Sequence, residues 1–229
     1  MQDTKLVTIR VGYANVFLIV NGSNSVIIDT GIKGHSEFIL KKMRRYGVQP
    51  SDLVLIIQTH THFDHAGNTA ELKKLTGAKV MVHQNEADCL VKGYTPIPDG
   101  TNIYTKFVAS MGRKFYPDIA SYEAVVPDIV ISDKLLLNDW AIDGYVFPTP
   151  GHTDGSQSVV LENKKIITGD CFFPVFPDSV FTPFTNNIPQ LLKTWETIFG
   201  LNIQELYAGH GSMFSLKRAV KCYEKMKKP

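Results

Sequence analysis

The segment Thr59–Asn68, THTHFDHAGN, constrains this chain more than any other stretch of similar length. It sets His60, His62, Asp64 and His65 close together, directly after the apolar run Leu53–Ile57 (LVLII). A continuous apolar run of that kind reads as a strand covered on both faces. The chain therefore leads a buried strand straight into a cluster of imidazoles and a carboxylate, which need a counter-charge to share if they are desolvated together. In extended backbone, side chains at i and i+2 point the same way, so His60 and His62 can grip one cation. Asp64 and His65 follow as the chain turns towards the next helix and can face a second. Imidazole and carboxylate are the usual ligands of zinc and other borderline divalent ions.

Three later residues extend the pattern. His152 lies in the Pro/Gly loop PTPGHTDGS, Asp170 ends IITGD, and His210 lies in LYAGHG. Each follows a strand-like run, and strand ends of layered α/β folds gather at one edge, where sites are built. Of the seven histidines, His35 and His83 lack such company and read as surface or capping residues. Cys171 adjoins Asp170 but points the other way along the strand, which makes it a core residue.

Strand-like and helix-like runs interleave in both halves, the pattern of stacked α and β layers in a single domain over residues 1–229. Tyr13–Val20 and Ser25–Asp29 read as strands separated by the turn Asn21–Asn24. Ser36–Tyr46 reads as a helix capped by Ser36, with Phe38, Ile39 and Met43 as its apolar stripe. Gly67–Thr76 reads as a second helix, closed by Gly77, and Lys79–Val82 as a strand. Periodicity then fades over residues 91–128, a Pro- and Gly-interrupted stretch expected to be an insertion with short helices, a lid over a site. Further strands are expected at Tyr145–Phe147, Ser158–Leu161, Ile166–Thr168 and Glu205–Ala208, with helices at Leu191–Phe199 and Leu216–Lys227.

Directly after Asp170 comes CFFPVFPDSVFTPFTNN, which holds Phe172, Phe173, Phe176, Phe181 and Phe184, five of the chain's 13 phenylalanines. A Pro-stiffened aromatic loop beside a candidate ligand suits an apolar pocket wall. The alternative is that the rings fill the core beneath the loop. Tyr94, Tyr104, Phe107, Phe115, Tyr116 and Tyr122 of the insertion are expected to close the same space from the other side. Together these residues point to a small-molecule substrate with an apolar part.

Composition narrows the classes. With 44% hydrophobic and 20% charged residues, the chain is ordinary for a globular protein. A net charge of +2 gives no reason to expect nucleic acid or a membrane as partner. The basic run Lys41, Lys42, Arg44 and Arg45 reads as the solvated face of a helix. No stretch approaches the roughly 18 apolar residues of a membrane span, and MQDTKLVTIR lacks the apolar core of a leader. Three scattered cysteines argue against a disulfide framework, so a reducing, cytoplasmic setting is expected. Oligomeric state is not legible.

From IIDTG through THTHFDHAGN, PGHTDGS, ITGD and AGHG, the chain resembles the metallo-β-lactamase superfamily, whose hallmark is His-x-His-x-Asp-His followed by a distant His, an Asp and a final His. The resemblance spans nearly the whole length and implies a four-layer αββα sandwich with metals at the sheet edge. It implies that His60, His62 and His152 hold one metal, that Asp64, His65 and His210 hold a second, and that Asp170 bridges them. Asp29 of IIDTG corresponds to a position that buttresses the ligands. The implied enzyme is a dinuclear hydrolase cleaving an ester, thioester, lactone or related bond with a metal-bridging hydroxide, Asp64 or Asp170 orienting the water or moving a proton. Two zinc ions are the first expectation, with iron or manganese also compatible. Two other branches stay open: a mononuclear-iron oxidoreductase resembling persulfide dioxygenases, and a phosphodiesterase or nuclease. Lactonases of the superfamily carry a Tyr soon after the bridging Asp, where this chain has Phe172 and Phe173.

Overall fold

A computed structural model describes residues 5–227; the first four and the last two residues lie outside it. The first sheet runs β1 (Lys5–Val11), β2 (Ala14–Val20), β3 (Ser25–Ile28), β4 (Leu53–Ile57), β5 (Lys79–His83) and β6 (Ile129–Ile131), in that spatial order. The first three strands are antiparallel; β3 to β6 are parallel. Parallel neighbours need crossovers. These are supplied by α1 (Ser36–Arg45), by the single turn α2 (Phe63–Ala66) with α3 (Thr69–Thr76), and by α4 (Gln84–Lys92) with α5 (Ile103–Phe115). The second sheet holds β7 (Leu135–Leu136), β8 (Gly144–Pro148), β9 (Gln157–Leu161), β10 (Lys165–Ile167), β11 (Glu205–Tyr207) and β12 (Phe214–Ser215). There only β10 and β11 are parallel, joined through α6 (Ile188–Phe199); α7 (Leu216–Lys227) follows β12.

Period-two alternation sorts the strand residues into three cores. Val16 and Leu18 of β2 and Ile56 of β4 pack against Ile39, Leu40 and Met43 of α1 and Leu72 of α3. Phe17, Ile19, Leu55 and Ile57 face the other sheet and meet Val146, Val159 and Ile167. On the far side, Val160 and Ile166 pack against Leu191, Trp195 and Ile198 of α6 and Ala219 of α7. Helix, sheet, sheet and helix thus form the αββα sandwich. Among the described residues no helix is long and apolar enough to cross a membrane.

Several local expectations need correction. Ser36 is the first residue of α1, not its cap: its hydroxyl donates to Glu71 at 2.7 Å with Asn68 Oδ1 at 3.3 Å, and His35 holds the cap position without a side-chain capping bond. Phe38 is exposed, and Leu40 takes its place in the stripe. The helix expected from Gly67 begins at Thr69: Gly67 still has helical dihedrals at the end of α2, and Asn68 departs from them at φ −115° and ψ 11°. Within 91–128, α4 continues to Lys92 and α5 is a full 13-residue helix. Lys41, Arg44 and Arg45 are exposed, as a solvated face requires.

Candidate metal centre

The crossover geometry delivers the candidate residues to one edge. His60 and His62 lie in the irregular stretch leaving β4, and the turn α2 presents Asp64 and His65. His152 follows β8, Asp170 sits in a 3-10 turn after β10, and His210 follows β11. All seven are buried or nearly so.

Their ligand-type atoms fall into three overlapping groups, each within 4.8 Å: His60, His62 and His152; His60, His65 and Asp170; and Asp64, His65 and His210. The Nε2 atoms of His210, His65 and His152 approach Asp170 to 3.2, 3.4 and 3.9 Å. Asp64 lies 3.4 Å from His210 Nε2.

Ring orientations are set by what the outward nitrogens meet. His65 Nδ1 donates to Asp29 at 2.8 Å, His152 Nδ1 to the Phe184 carbonyl at 2.9 Å, and His210 Nδ1 to the Tyr13 carbonyl at 3.0 Å. Thr59 Oγ1 donates to Asp29 at 2.7 Å and therefore accepts from His60 Nδ1 at 3.0 Å. Asp29 also accepts from the Thr59 amide at 2.7 Å, so one carboxylate steadies His60 and His65 together. It does so from left-handed backbone, φ 58°, sparsely populated for a side-chain-bearing residue and typical of positions held for a purpose. Each proton on an outward nitrogen leaves a lone pair on the inward one.

Those inward atoms test whether the residues fit metal. His60 Nε2, His65 Nε2 and Asp170 Oδ1 are buried with no hydrogen-bond partner among the described residues, and His62 turns Nδ1 to within 3.0 Å of His152 Nε2. Buried polar atoms are rarely left so, and several in one cluster mark a place built for a cation. The backbone makes room: a Cβ on Gly209 would meet Asp170 Oδ1 at 2.3 Å and His65 Cε1 at 2.4 Å.

The electrostatics divide the cluster. Burial, reinforced by neighbouring imidazoles, holds His60 well below the usual histidine range and His62 down at about 3. Burial also lowers His152. For His65 and His210, burial is outweighed by Asp170 and the other carboxylates, which raise His65 well above its ordinary value and His210 to about 10. Burial likewise opposes charge on Asp170, but His210 and His65 prevail and hold it well below the carboxylate range. One end of the cluster is thus neutral nitrogen, and the other is an array of opposite charges.

An apolar cavity of about 460 Å³ opens onto the cluster. Phe173 and Phe184 line it, and Phe173 lies 4.9 Å from the His210 ring. Phe172 instead stacks on Trp195 in the core, Phe181 packs there too, and Phe176 is exposed, so the aromatic loop is part wall and part core. The insertion reaches the cavity through Ile97, Pro98, Val108 and Ile119. None of its six aromatics lines it. Tyr104, Phe107, Phe115 and Tyr116 face outward, and Tyr122 is buried with its hydroxyl on Thr95.

Two contributors were not read from sequence. Glu86 is buried and accepts from both the amide and the hydroxyl of Thr61, the residue between His60 and His62. Tyr13 stacks on His210 at 5.7 Å and lines the cavity. Nothing in spacing marks Glu86; the position of Tyr13 just before β2 was its only signal. His83 is buried rather than on the surface, and its Nδ1 accepts from the Asn85 amide at the start of α4, the capping role expected. Cys171 is a core residue, with Sγ donating to the Thr149 carbonyl.

The chain is similar to known proteins over nearly its full length. A probable metallo-hydrolase of Methanocaldococcus jannaschii is 27% identical over 206 residues, covering 88% of this chain and 90% of the relative. The human acyl-coenzyme A thioesterase MBLAC2 is 24% identical, with 90% and 75% covered. The crystal structure of BJP-1, a subclass B3 metallo-beta-lactamase of Bradyrhizobium japonicum, superposes with a TM-score of 0.71 at 19% identity, over 98% of this chain and 90% of that one; it speaks for the fold. The sequence pattern of the metallo-beta-lactamase superfamily matches residues 9–210, a span that holds every residue of the cluster. The chain therefore belongs to the metallo-beta-lactamase superfamily and is a metal-dependent hydrolase.

Proposed function

We propose that this hydrolase is dinuclear and cleaves a carboxylic ester, thioester or lactone whose acyl part is apolar. His60, His62 and His152 would hold one divalent ion and Asp64, His65 and His210 the other, with Asp170 common to both. The observation that carries this reading is the overlap of three candidate groups through His60 and His65, with His60 Nε2, His65 Nε2 and Asp170 Oδ1 buried and lacking partners. Zinc suits a set of imidazoles and carboxylates best, with iron or manganese compatible. Two such ions, when bound, supply Lewis acidity and lower the pKa of a shared water towards about 7.

The chain's own residues do the rest. Asp64 and Asp170 are both lowered by neighbouring imidazoles against the effect of burial, so each starts as a carboxylate able to orient the water and accept its proton. The water oxygen adds to the acyl carbon, the bond to the leaving oxygen or sulfur breaks, and the proton passes to that leaving atom. The cavity walls, Ile97, Val108, Phe173 and Phe184 among them, hold the acyl group and exclude bulk water. Likeness to an acyl-coenzyme A thioesterase supports thioesters within this class. The three cysteines are free, which agrees with a cytoplasmic setting.

Elemental analysis of protein purified without chelator, followed by a panel of ester, thioester, lactone, β-lactam and phosphodiester substrates, tests the proposal. Close to two divalent ions per chain and turnover of acyl substrates are expected. One iron per chain, or full activity after complete removal of metal, would overturn it.

A further inference from the structure

Beside the cluster the sandwich carries a second recess of about 300 Å³, at the open side between β1 and β2 of one sheet and β11 of the other. Alternation along β1 creates it. Val7, Ile9 and Val11 enter the helix-side core, so Thr8 and Arg10 face the opposite way. Phe17 of β2 and Ser212, just after His210, complete the wall. Arg10 also lines the apolar cavity, so the two chambers share one arginine. Next to Arg10 the two sheets are tied together: Ala14 bridges His210, and the Asn15 amide group donates to the carbonyls of Ala208 and Gly211.

The chambers differ in chemistry. The larger is mostly apolar, its polar lining being the cluster residues with Tyr13, Arg10 and Thr182. The smaller contains a cation and no acid. Among the described residues Arg10 has no ion pair, and the hydroxyls of Thr8 and Ser212 have no protein partner. These groups are solvated, so a ligand can engage them without breaking contacts within the protein. A guanidinium offers paired donors that match a phosphate. An apolar chamber and a cationic one, meeting beside a hydrolytic centre, fit a substrate with one part of each kind.

We propose that the recess is the subsite for a phosphate-bearing leaving group. The substrate is then an apolar acyl chain joined, through the bond cleaved at the cluster, to a phosphorylated carrier. This rests on the hydrolase reading of the neighbouring cluster, but its test does not need turnover.

Equilibrium binding of 4′-phosphopantetheine to the metal-loaded protein is compared with that of pantetheine, which differs only in lacking the phosphate. The phosphorylated compound is expected to bind at least tenfold more tightly, with the advantage shrinking as salt rises. Arg10→Gln should bring the two affinities together while leaving metal content and pantetheine affinity unchanged. Equal binding to the wild type, no binding of either compound, or an advantage that survives in Arg10→Gln would each overturn the subsite. Intact discrimination with no hydrolysis of acyl thioesters would instead count against the hydrolytic reading and leave the recess standing.

Discussion

Asp170 faces imidazoles from both ends of the cluster, and its charge matters to each. His65 and His210 approach it to 3.4 and 3.2 Å, and His152 lies 3.9 Å away. Asp170→Asn preserves shape but removes the charge that, in the proposed dinuclear centre, would offset repulsion between two cations. Loss of one of the two ions is expected, with turnover falling by about two orders of magnitude or more. Metal analysis beside steady-state rates checks both parts; a variant with both ions and the wild-type rate would mean that Asp170 is not shared. At this scale the sequence was most informative, because the cluster's residues announce themselves by type and by position after strands. Glu86 and Tyr13 do not. A lone acid in a helix and a lone tyrosine in a hairpin acquire meaning only from the tertiary contacts they make, with Thr61 and with His210.

Among the elements, the irregular stretch leaving β4 carries the largest demand, since no ladder holds it. Glu86, from α4, supplies the hold by accepting two hydrogen bonds from Thr61. Glu86→Ala strands a buried amide and is expected to cost about 1–3 kcal/mol. Glu86→Gln keeps an acceptor oxygen and should lose much less. Thermal melts of the two variants, read with their metal content, separate this hold from general packing: similar losses in both would refute it. The loop after Asp170 yields a second contrast. Phe172→Ala removes a ring stacked on Trp195 and should destabilise by about 3–5 kcal/mol. Phe173→Ala, at the cavity wall, should stay folded and metal-loaded and lose rate selectively on bulky acyl substrates. Comparing short- and long-chain esters on the folded variant decides this, and equal loss on all of them would assign Phe173 to the core. Such distinctions were not legible beforehand. Phe172 and Phe173 are adjacent and chemically identical, and only the path of the chain after the 3-10 turn sends one ring to the core and the other to the cavity. The outward turn of Phe107 and Phe115 on α5 has the same origin, since the face a helix buries depends on where it docks.

For the molecule as a whole, the layered fold was readable because buried parallel strands and amphipathic helices leave different periodicities. The short edge strands β6, β7 and β12 were not, having two or three residues each. What the fold gains by gathering five histidines at one edge is a stability that depends on pH, and the sign differs along the cluster. In metal-free protein, His60, His62 and His152 have folded pKa values below their unfolded ones, His62 at about 3. Their contribution is complete above the unfolded value of about 6.5 and is lost as pH falls, because the unfolded chain binds protons that the folded chain refuses. His65 and His210 are shifted the other way, His210 to about 10. Their contribution is complete below about 6.5 and is lost as pH rises towards the folded values. Chelator-stripped protein should therefore be most stable near pH 6.5, with the melting temperature falling on both sides. In the proposed centre, bound cations would take the place of the protons on His65 and His210, so metal-loaded protein should lose the alkaline decline while still weakening in acid, where protons compete for the ligands. Melting temperatures from pH 4 to 10, with and without metal, measure this directly. An alkaline limb that persists unchanged in metal-loaded protein would show that these two imidazoles do not exchange protons for metal.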